Sequence, residues 1–320
     1  MQLLSRLTLV FFVALLSSNT LAQNYPNRPI RAIVPIPAGS GTDVMARFVM
    51  DGISKATGKS LIVENRPGAG SNIGMAAGEK AAPDGYTVTF GGWGAYIINP
   101  LIYDLPGWDA KNFEPVVMVG RLPFVAVVNV DVPVKTFPEL IAYSKSNPGK
   151  VNIALPSTSA KVIFELLKRT TEASLFPVSY ATNNPAVVDT VAGRVSVMVD
   201  TVSALLPHVN SGRLRAIAIT TQKTSFLLPN LKSIAEQGAP AFGEVVGWTS
   251  ILVPKGTPAE AVSWLNAEVN KVLAHPDTRR RLADLGAEPG GGTSQELGAY
   301  FVAEREKWAP IVREAKIKPD

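Results

Sequence analysis

The sequence predicts an α/β fold in which parallel sheets are covered by helices on both faces, and three observations carry that prediction. Short apolar, strand-like runs alternate with helix-like stretches along the 320-residue chain, the pattern of repeated β-loop-α units. The breaks between them are clusters of Gly, Pro, Asn and Asp. Five polar or glycine-rich loops, at 37–42, 92–95, 155–159, 181–184 and 200–201, each follow the carboxyl end of a predicted strand. That is the edge along which open α/β sheets bind ligands.

The first unit is the most informative. Residues 30–34, IRAIV, read as a buried strand, and Pro35, Pro37, Gly39 and Gly41 end it. Thr42 or Asp43 caps a helix running to about Thr57, with Gly58 as its left-handed terminator. Strand, glycine loop and helix start together make a candidate anion site at 38–43. Glycines let backbone N–H groups approach a ligand, and the helix end carries a partial positive charge. The hydroxyls of Ser40 and Thr42 can donate to a carboxylate or phosphate. The competing reading is an ordinary βα turn, since a glycine-rich turn alone is a weak motif.

The alternation then continues. Residues 60–64 read as a strand, 65–74 as a second glycine loop, and Ser71 or Asn72 as the cap of a helix to about Ala81. Residues 86–90 are a strand and 91–95 a third loop. Asn99-Pro100 and Pro106-Gly107 punctuate a longer connection before strands at 116–119 and 124–130. Helices at 138–144, 160–169, 184–192 and 202–209 interleave with strands at 151–154, 176–180, 195–199 and 214–220. After a strand at 247–253, Thr257 and Glu260 form a capping box for a helix to about Leu273. A short helix at 276–285 is closed by Gly286, and a second capping box at Thr293 and Glu296 opens a last helix to about Ala315. Gly290-Gly291-Gly292 is the low-complexity patch.

Composition narrows the function. The chain has no cysteine and two histidines, which removes thiolate zinc sites, cysteine nucleophiles and multi-histidine metal centres from the expectation. Residues 1–22 read as an export signal: Arg6 supplies the charge, 7–16 the apolar centre, and Thr20-Leu21-Ala22 the cleavage pattern. That apolar run is short of the roughly 20 residues a membrane span needs. Cleavage is expected after Ala22. The net charge of +5 becomes +4 in the mature chain, because Arg6 is the one charge in the signal. The densest basic group, Arg279-Arg280-Arg281, lies among acidic residues and reads as a solvated helix face, with no nucleic-acid partner expected.

Several motifs point elsewhere and fail on spacing. Residues 52–60, GISKATGKS, have one residue too many for a phosphate-binding P-loop and sit at a helix end. Residues 68–74 miss the dinucleotide fingerprint by one residue, and no GxSxG elbow is present. His208 reads as a helix end and His275 as a surface turn. Trp93 either covers the core or forms a flat wall at a cleft mouth. Asp200, at the end of VSVMVD, either caps the next helix or holds a ligand hydroxyl, amine or bridging water. Asp43 carries the same two readings, Tyr180 is core or cleft wall, and Trp248 reads as packing.

Taken together, YPNRPIRAIVPIPAGSGTD, ENRPGAGSNIG, PDGYTVTFG, INPLIY, the 195–220 segment and VPKGTP with LNAEVNKVLAHPDTRRRLADLGAEP resemble the solute-binding receptors of tripartite tricarboxylate transporters, the Bug family. The similarity runs from Tyr25 to about Ile317. It implies a type II periplasmic-binding fold: two doubly wound α/β lobes joined by crossing strands, with a ligand cleft between them. The first lobe would comprise 23–122 and 246–320 and the second 123–245, with hinges near 122–124 and 244–248. The resemblance also implies an exported periplasmic receptor for a small organic carboxylate, with integral-membrane transporter subunits as partners, no cofactor and a monomeric state. First-lobe contacts carry over to Ala38, Gly39, Ser40, Gly41, Thr42 and Asp43 and to Trp93, Gly94 and Ala95. Second-lobe contacts carry over to Ser157, Thr158 and Ser159 and to Asp200, with Tyr180 alongside. Two departures bear on the ligand. The second-lobe loop is LPSTSAKV, without the usual glycines and histidine, and Tyr180-Ala181-Thr182 replaces a Tyr-Lys-Gly. The missing cation argues against a second strongly charged carboxylate. A periplasmic serine hydrolase, and an orphan receptor that senses without its own transporter, are the alternative functions.

Overall fold

The computed structural model describes residues 25–103 and 107–317. The signal and its cleavage point lie outside them. Ten strands form the sheet system. In the first half β2 (Leu61–Asn65), β1 (Ile30–Val34), β3 (Thr87–Gly92), β9 (Val246–Pro254), β4 (Phe113–Asn129) and β10 (Glu288–Gly291) are neighbours in that order. In the second, β8 (Leu214–Ile219), the far end of β4, β7 (Val197–Thr201), β5 (Asn152–Leu155) and β6 (Phe176–Ser179) are neighbours. The βαβ units pair in parallel, and the crossing strands run antiparallel to their neighbours. This is the type II periplasmic-binding architecture.

Strand β4 carries the chain from one sheet to the other. Residues up to Pro123 pair with β9, and residues from Phe124 pair with β7 and β8. The sequence suggested two strands here, at 116–119 and 124–130. Instead a register shift follows Pro115, and Pro123 falls where the strand changes sheets, both positions at which a missing ladder donor is tolerated. The return crossing is fixed by Thr220: its N–H donates to Phe124 O, its carbonyl accepts from Val245 N–H, and its hydroxyl lies 2.6 Å from Val245 O.

Helices α1 (Gly41–Thr57), α8 (Ala259–Ala274) and α9 (Pro276–Asp284) cover one face of the first sheet. Strand positions 30, 32 and 34 meet Met45, Val49, Ile53, Leu265, Val269 and Leu282 there, as period-2 strands and period-3.6 helices require. On the other face lie α2 (Asn72–Glu79) and α10 (Ser294–Ala315). Helices α6 (Asn183–Val191) and α7 (Val202–Asn210) cover one face of the second sheet, and α4 (Phe137–Ser146) and α5 (Thr158–Thr171) the other. One apolar cluster runs unbroken from Trp93, Phe301 and Trp308 to Ile163, Phe164 and Val199. Helix α10 also pairs Glu314 with Arg169 of α5 at 2.7 Å.

Local expectations divide by capping chemistry. The 293–296 capping box forms, and Gly58 ends α1 in a left-handed turn. The 257–260 box does not: Pro258 precedes the helix, and the Thr257 hydroxyl donates to Pro254 O. Ser71 is left-handed and caps nothing; Asn72 is buried and accepts from Asn99 and Trp108. Helix α6 begins at Asn183 behind the N-cap position Thr182, one residue before the expected start at 184. Residues 290–291, expected as low-complexity loop, belong to β10, where a β-carbon on Gly290 would fall 2.4 Å from Met118 O.

Candidate functional site

The predicted first-lobe loop is built as a strand-to-helix turn. Ser40 is the N-cap of α1; its Oγ accepts from Asp43 N–H at 3.4 Å and donates to Pro37 O at 2.8 Å. Asp43 is buried at 2% exposure, and its carboxylate accepts from Gly39 N–H, Arg47 Nε and Asn65 Nδ2 at 2.7–3.0 Å. Burial pushes this carboxyl up, but the hydrogen bonds from Arg47, Gly39 and Asn65 and the guanidinium charge outweigh it and hold it below the usual range.

The helix cap is Ser40 rather than the expected Thr42 or Asp43. Asp43 is the staple that shapes the loop, with both oxygens occupied by protein donors. Gly39 N–H and the Ser40 hydroxyl are likewise engaged within the turn. The first-turn amides of Gly41 and Thr42 precede any intrahelical acceptor. Thr42 Oγ1 lies 3.2 Å from Thr249 Oγ1 on β9, a partner that local sequence gave no means of finding. Ala38 is exposed at the tip of the turn.

Trp93 is not at a cleft mouth. It is 2% exposed, and its ring packs 5.0 Å from that of Trp308 and 6.1 Å from that of Phe124, so of its two readings the core one holds. Trp248 is core as well. The segment expected as loop is a single wide helical turn, Gly94–Ile98. Such π-type turns recur at functional sites, where they widen the backbone.

On the second lobe Ser157 caps α5 by accepting from Ala160 N–H at 3.2 Å, which sets Thr158 and Ser159 in the first turn. Tyr180 is half-buried against the α6–α7 core, and its hydroxyl donates to Asp189 at 2.8 Å. Burial, then the Asp189 contact, raises its pKa. Asp200 lies at the end of β7, 6% exposed; Oδ1 accepts from Thr201 N–H at 2.6 Å and Oδ2 accepts from Asn183 Nδ2. These donors are neutral and no cation offsets its burial, so desolvation pushes the carboxyl up to about 6. Thr201, not Asp200, is the cap residue of α7.

Two of the predicted first-lobe segments meet the second lobe, and no contact across the lobes is seen for Asp200, Tyr180 or Ala38 among the described residues. A β-carbon on Gly94 would stand 3.5 Å from Ser159 Oγ, and one on Gly41 would stand 3.7 Å from Ser203 Oγ. The starts of α1 and the π-turn on one lobe therefore face the starts of α7 and α5 on the other. Ser203, whose hydroxyl donates to Thr201 Oγ1 at 3.0 Å, was not singled out from sequence. Its signal was present: a hydroxyl in the first turn of a helix that follows a strand end. Two surface hollows of about 420 and 490 Å³, one beside Phe137 and Gln237 and one beside Glu79 and Lys255, touch none of these residues.

His208 contacts Arg213 at a helix end, as expected, whereas His275, expected in a surface turn, links two helices and caps α9 with its side chain. Among the described residues no cluster of His, Cys, Asp and Glu is placed to hold a metal, and no helix is long and apolar enough to cross a membrane.

Comparison with known proteins agrees with the fold. Residues 45–317 match the family described as TctC, the tripartite tricarboxylate transporter family receptor. The chain is 34% identical over 323 residues to protein BugT of Bordetella pertussis, with 99% of each covered. The structure of R. palustris Rpa4515 with adipate is similar at a TM-score of 0.84 and 32% identity, over 93% of this chain and 100% of that one. MatC from Rhodopseudomonas palustris with bound malate is similar at 0.78 and 27% identity, over 90% and 100%. The chain belongs to the TctC, or Bug, family of periplasmic solute-binding receptors.

Proposed function

We propose that this receptor captures a small organic carboxylate by closing its two lobes and delivers it to the membrane subunits of a tripartite tricarboxylate-type transporter. The observation that carries this is the meeting of helix starts from both lobes, at Gly41 against Ser203 and Gly94 against Ser159. Helix N-termini hold anions through unpartnered amides and a partial positive charge. The carboxylate sits against the Gly41 and Thr42 amides, with hydroxyls of Ser159 and Ser203 opposite. The adipate and malate bound in the two similar structures support a carboxylate ligand. Export through residues 1–22, cleavage after Ala22 and a monomeric state belong to the same proposal.

Gly41→Pro tests the assignment. Proline is tolerated at the first helical position and deletes one amide donor there. Ser40, at φ −70° and ψ 160°, already has the extended backbone that a following proline demands. A hydrogen bond to a charged group contributes about 1.5–3 kcal/mol. Titration calorimetry against a panel of mono- and dicarboxylates, adipate and malate included, should show affinity falling by about ten- to a hundredfold, with the melting temperature kept. Unchanged affinity would remove the carboxylate from this helix end.

A further inference from the structure

Residues 286–288 of the first lobe touch the second lobe twice. Gly286 ends α9 in a left-handed turn at φ +71°, closed by Gly286 N–H to Ala283 O and Ala287 N–H to Leu282 O. That paired pattern is the glycine-terminated helix end. A β-carbon on Gly286 would fall 2.5 Å from Ser203 N and 2.8 Å from Ser203 Cα, backbone atoms of the first turn of α7. Two residues on, Glu288 Oε1 accepts from Ser225 Oγ at 2.7 Å. Glu288 pairs with Arg121 on β4, three residues short of the crossing at Phe124. Both contacts therefore lie beside the hinge.

We propose that Gly286 is a positioning residue for capture: its bare backbone is the seat against which the start of α7 comes to rest, and so it sets how far the lobes close. The proposal rests on the closure reading above. The same turn of α7 carries Ser203, which faces Gly41. A side chain at 286 would hold that turn off by about 1 Å to restore ordinary contact distance. Close to a hinge, such a displacement grows with distance along the lobe. Glycine is thus required at 286 twice, by its backbone conformation and by the space it leaves.

The test separates those two requirements. Gly58 ends α1 at φ +69°, with nothing within 4 Å of where a β-carbon would stand. Gly286→Ala and Gly58→Ala therefore impose the same backbone strain, and the 286 variant alone wedges the lobes. The sequence lacks cysteine, so spin labels on Ile62→Cys and Val188→Cys, exposed sites on opposite lobes, report one distance. With Gly286→Ala the inter-label distance should lengthen by several ångströms, and affinity for the carboxylate the wild type binds best should fall at least tenfold. Gly58→Ala should leave both at wild-type values while melting lower. A wild-type distance in Gly286→Ala overturns the proposal. If that variant does not fold, Ser225→Ala, which deletes the second contact, should lengthen or broaden the distance distribution, and an unchanged distribution overturns it equally. Should the wild type bind no carboxylate of the panel, the solute reading fails while the ligand-free distance comparison still decides the seat.

Discussion

Asp200→Asn should stabilise the protein at neutral pH and not in acid. A carboxyl moved from its ordinary 3.8 to about 6 by burial favours its neutral form in the folded protein. As pH rises past 4, the unfolded chain releases this proton first, so the folded state binds more protons and stability falls. The loss continues through about pH 6 and levels off near pH 7, where both states are ionised. At about 1.4 kcal/mol per pH unit of displacement, the penalty at pH 7 is about 3 kcal/mol as an upper bound. Asparagine never ionises and escapes it. The hydrogen bond from Thr201 N–H survives, and the Asn183 amide can turn its oxygen toward the new NH₂. Urea unfolding of both proteins at pH 4, 5, 6 and 7 reads this as the difference between them, in which all other carboxylates cancel. The difference should grow from pH 4 to 7, in favour of the variant. A difference flat across that range would show that Asp200 is not the buried, uncompensated carboxyl described here.

Three further outcomes follow from contacts already given. Asp43→Ala strands the Gly39, Arg47 and Asn65 donors and should cost about 2–4 kcal/mol in urea unfolding, with carboxylate affinity falling as the loop loosens. Gly78→Ala brings a methyl to within 2.0 Å of Thr89 Oγ1, so α2 must lift from β3 at about 1–3 kcal/mol, read in the same way; a neutral result would mean the helix rides higher than described. Trp93→Phe should cost no more than about 2 kcal/mol from lost packing, since Trp93 Nε1 has no hydrogen-bond partner among the described residues; a cost above about 4 kcal/mol would show that nitrogen to be engaged.

The fold was legible because parallel α/β proteins write their period into the sequence. Residues 30–34 alternate into the α1–α8 core, and Gly58 and the 293–296 box carry their own local instructions. What stayed hidden depends on distant partners. Residues 116–119 and 124–130 read as two strands and are one crossing strand, because the partners of its first half on β9 lie more than a hundred residues away. Asn72 reads as a cap, and burial against Trp108 claims its side chain instead. The site was legible as a set of loops but not as chemistry. That Ser40 and Gly39 would be consumed inside their own turn follows from Asp43 being buried, which no spacing reveals. Thr249, Ser203 and Gly286 join the gap by crossing strands and by lobe contact, and only coordinates bring them there.

Asp43 and Asp200 make the most of that difference. Each lies near the start of a helix, and each looked able to touch a ligand. Arg47 beside Asp43 favours the ionised form, and three donors exhaust it, so Asp43 is a fixed charge that shapes the turn. Asp200 has neutral donors from Asn183 and Thr201 and, among the described residues, no cation to offset its burial, so its charge is conditional. On the reading proposed above, a carboxylate ligand meets amides and hydroxyls at the helix starts. Capture by such groups acts at short range, within hydrogen-bond reach of helix ends, where the field of those ends is concentrated. If the lobes close as proposed, such a site holds its ligand while they are together and loses much of that hold when they part. Closure and affinity would then be one quantity, and a residue that sets the stop of the closing motion would act on the ligand without touching it.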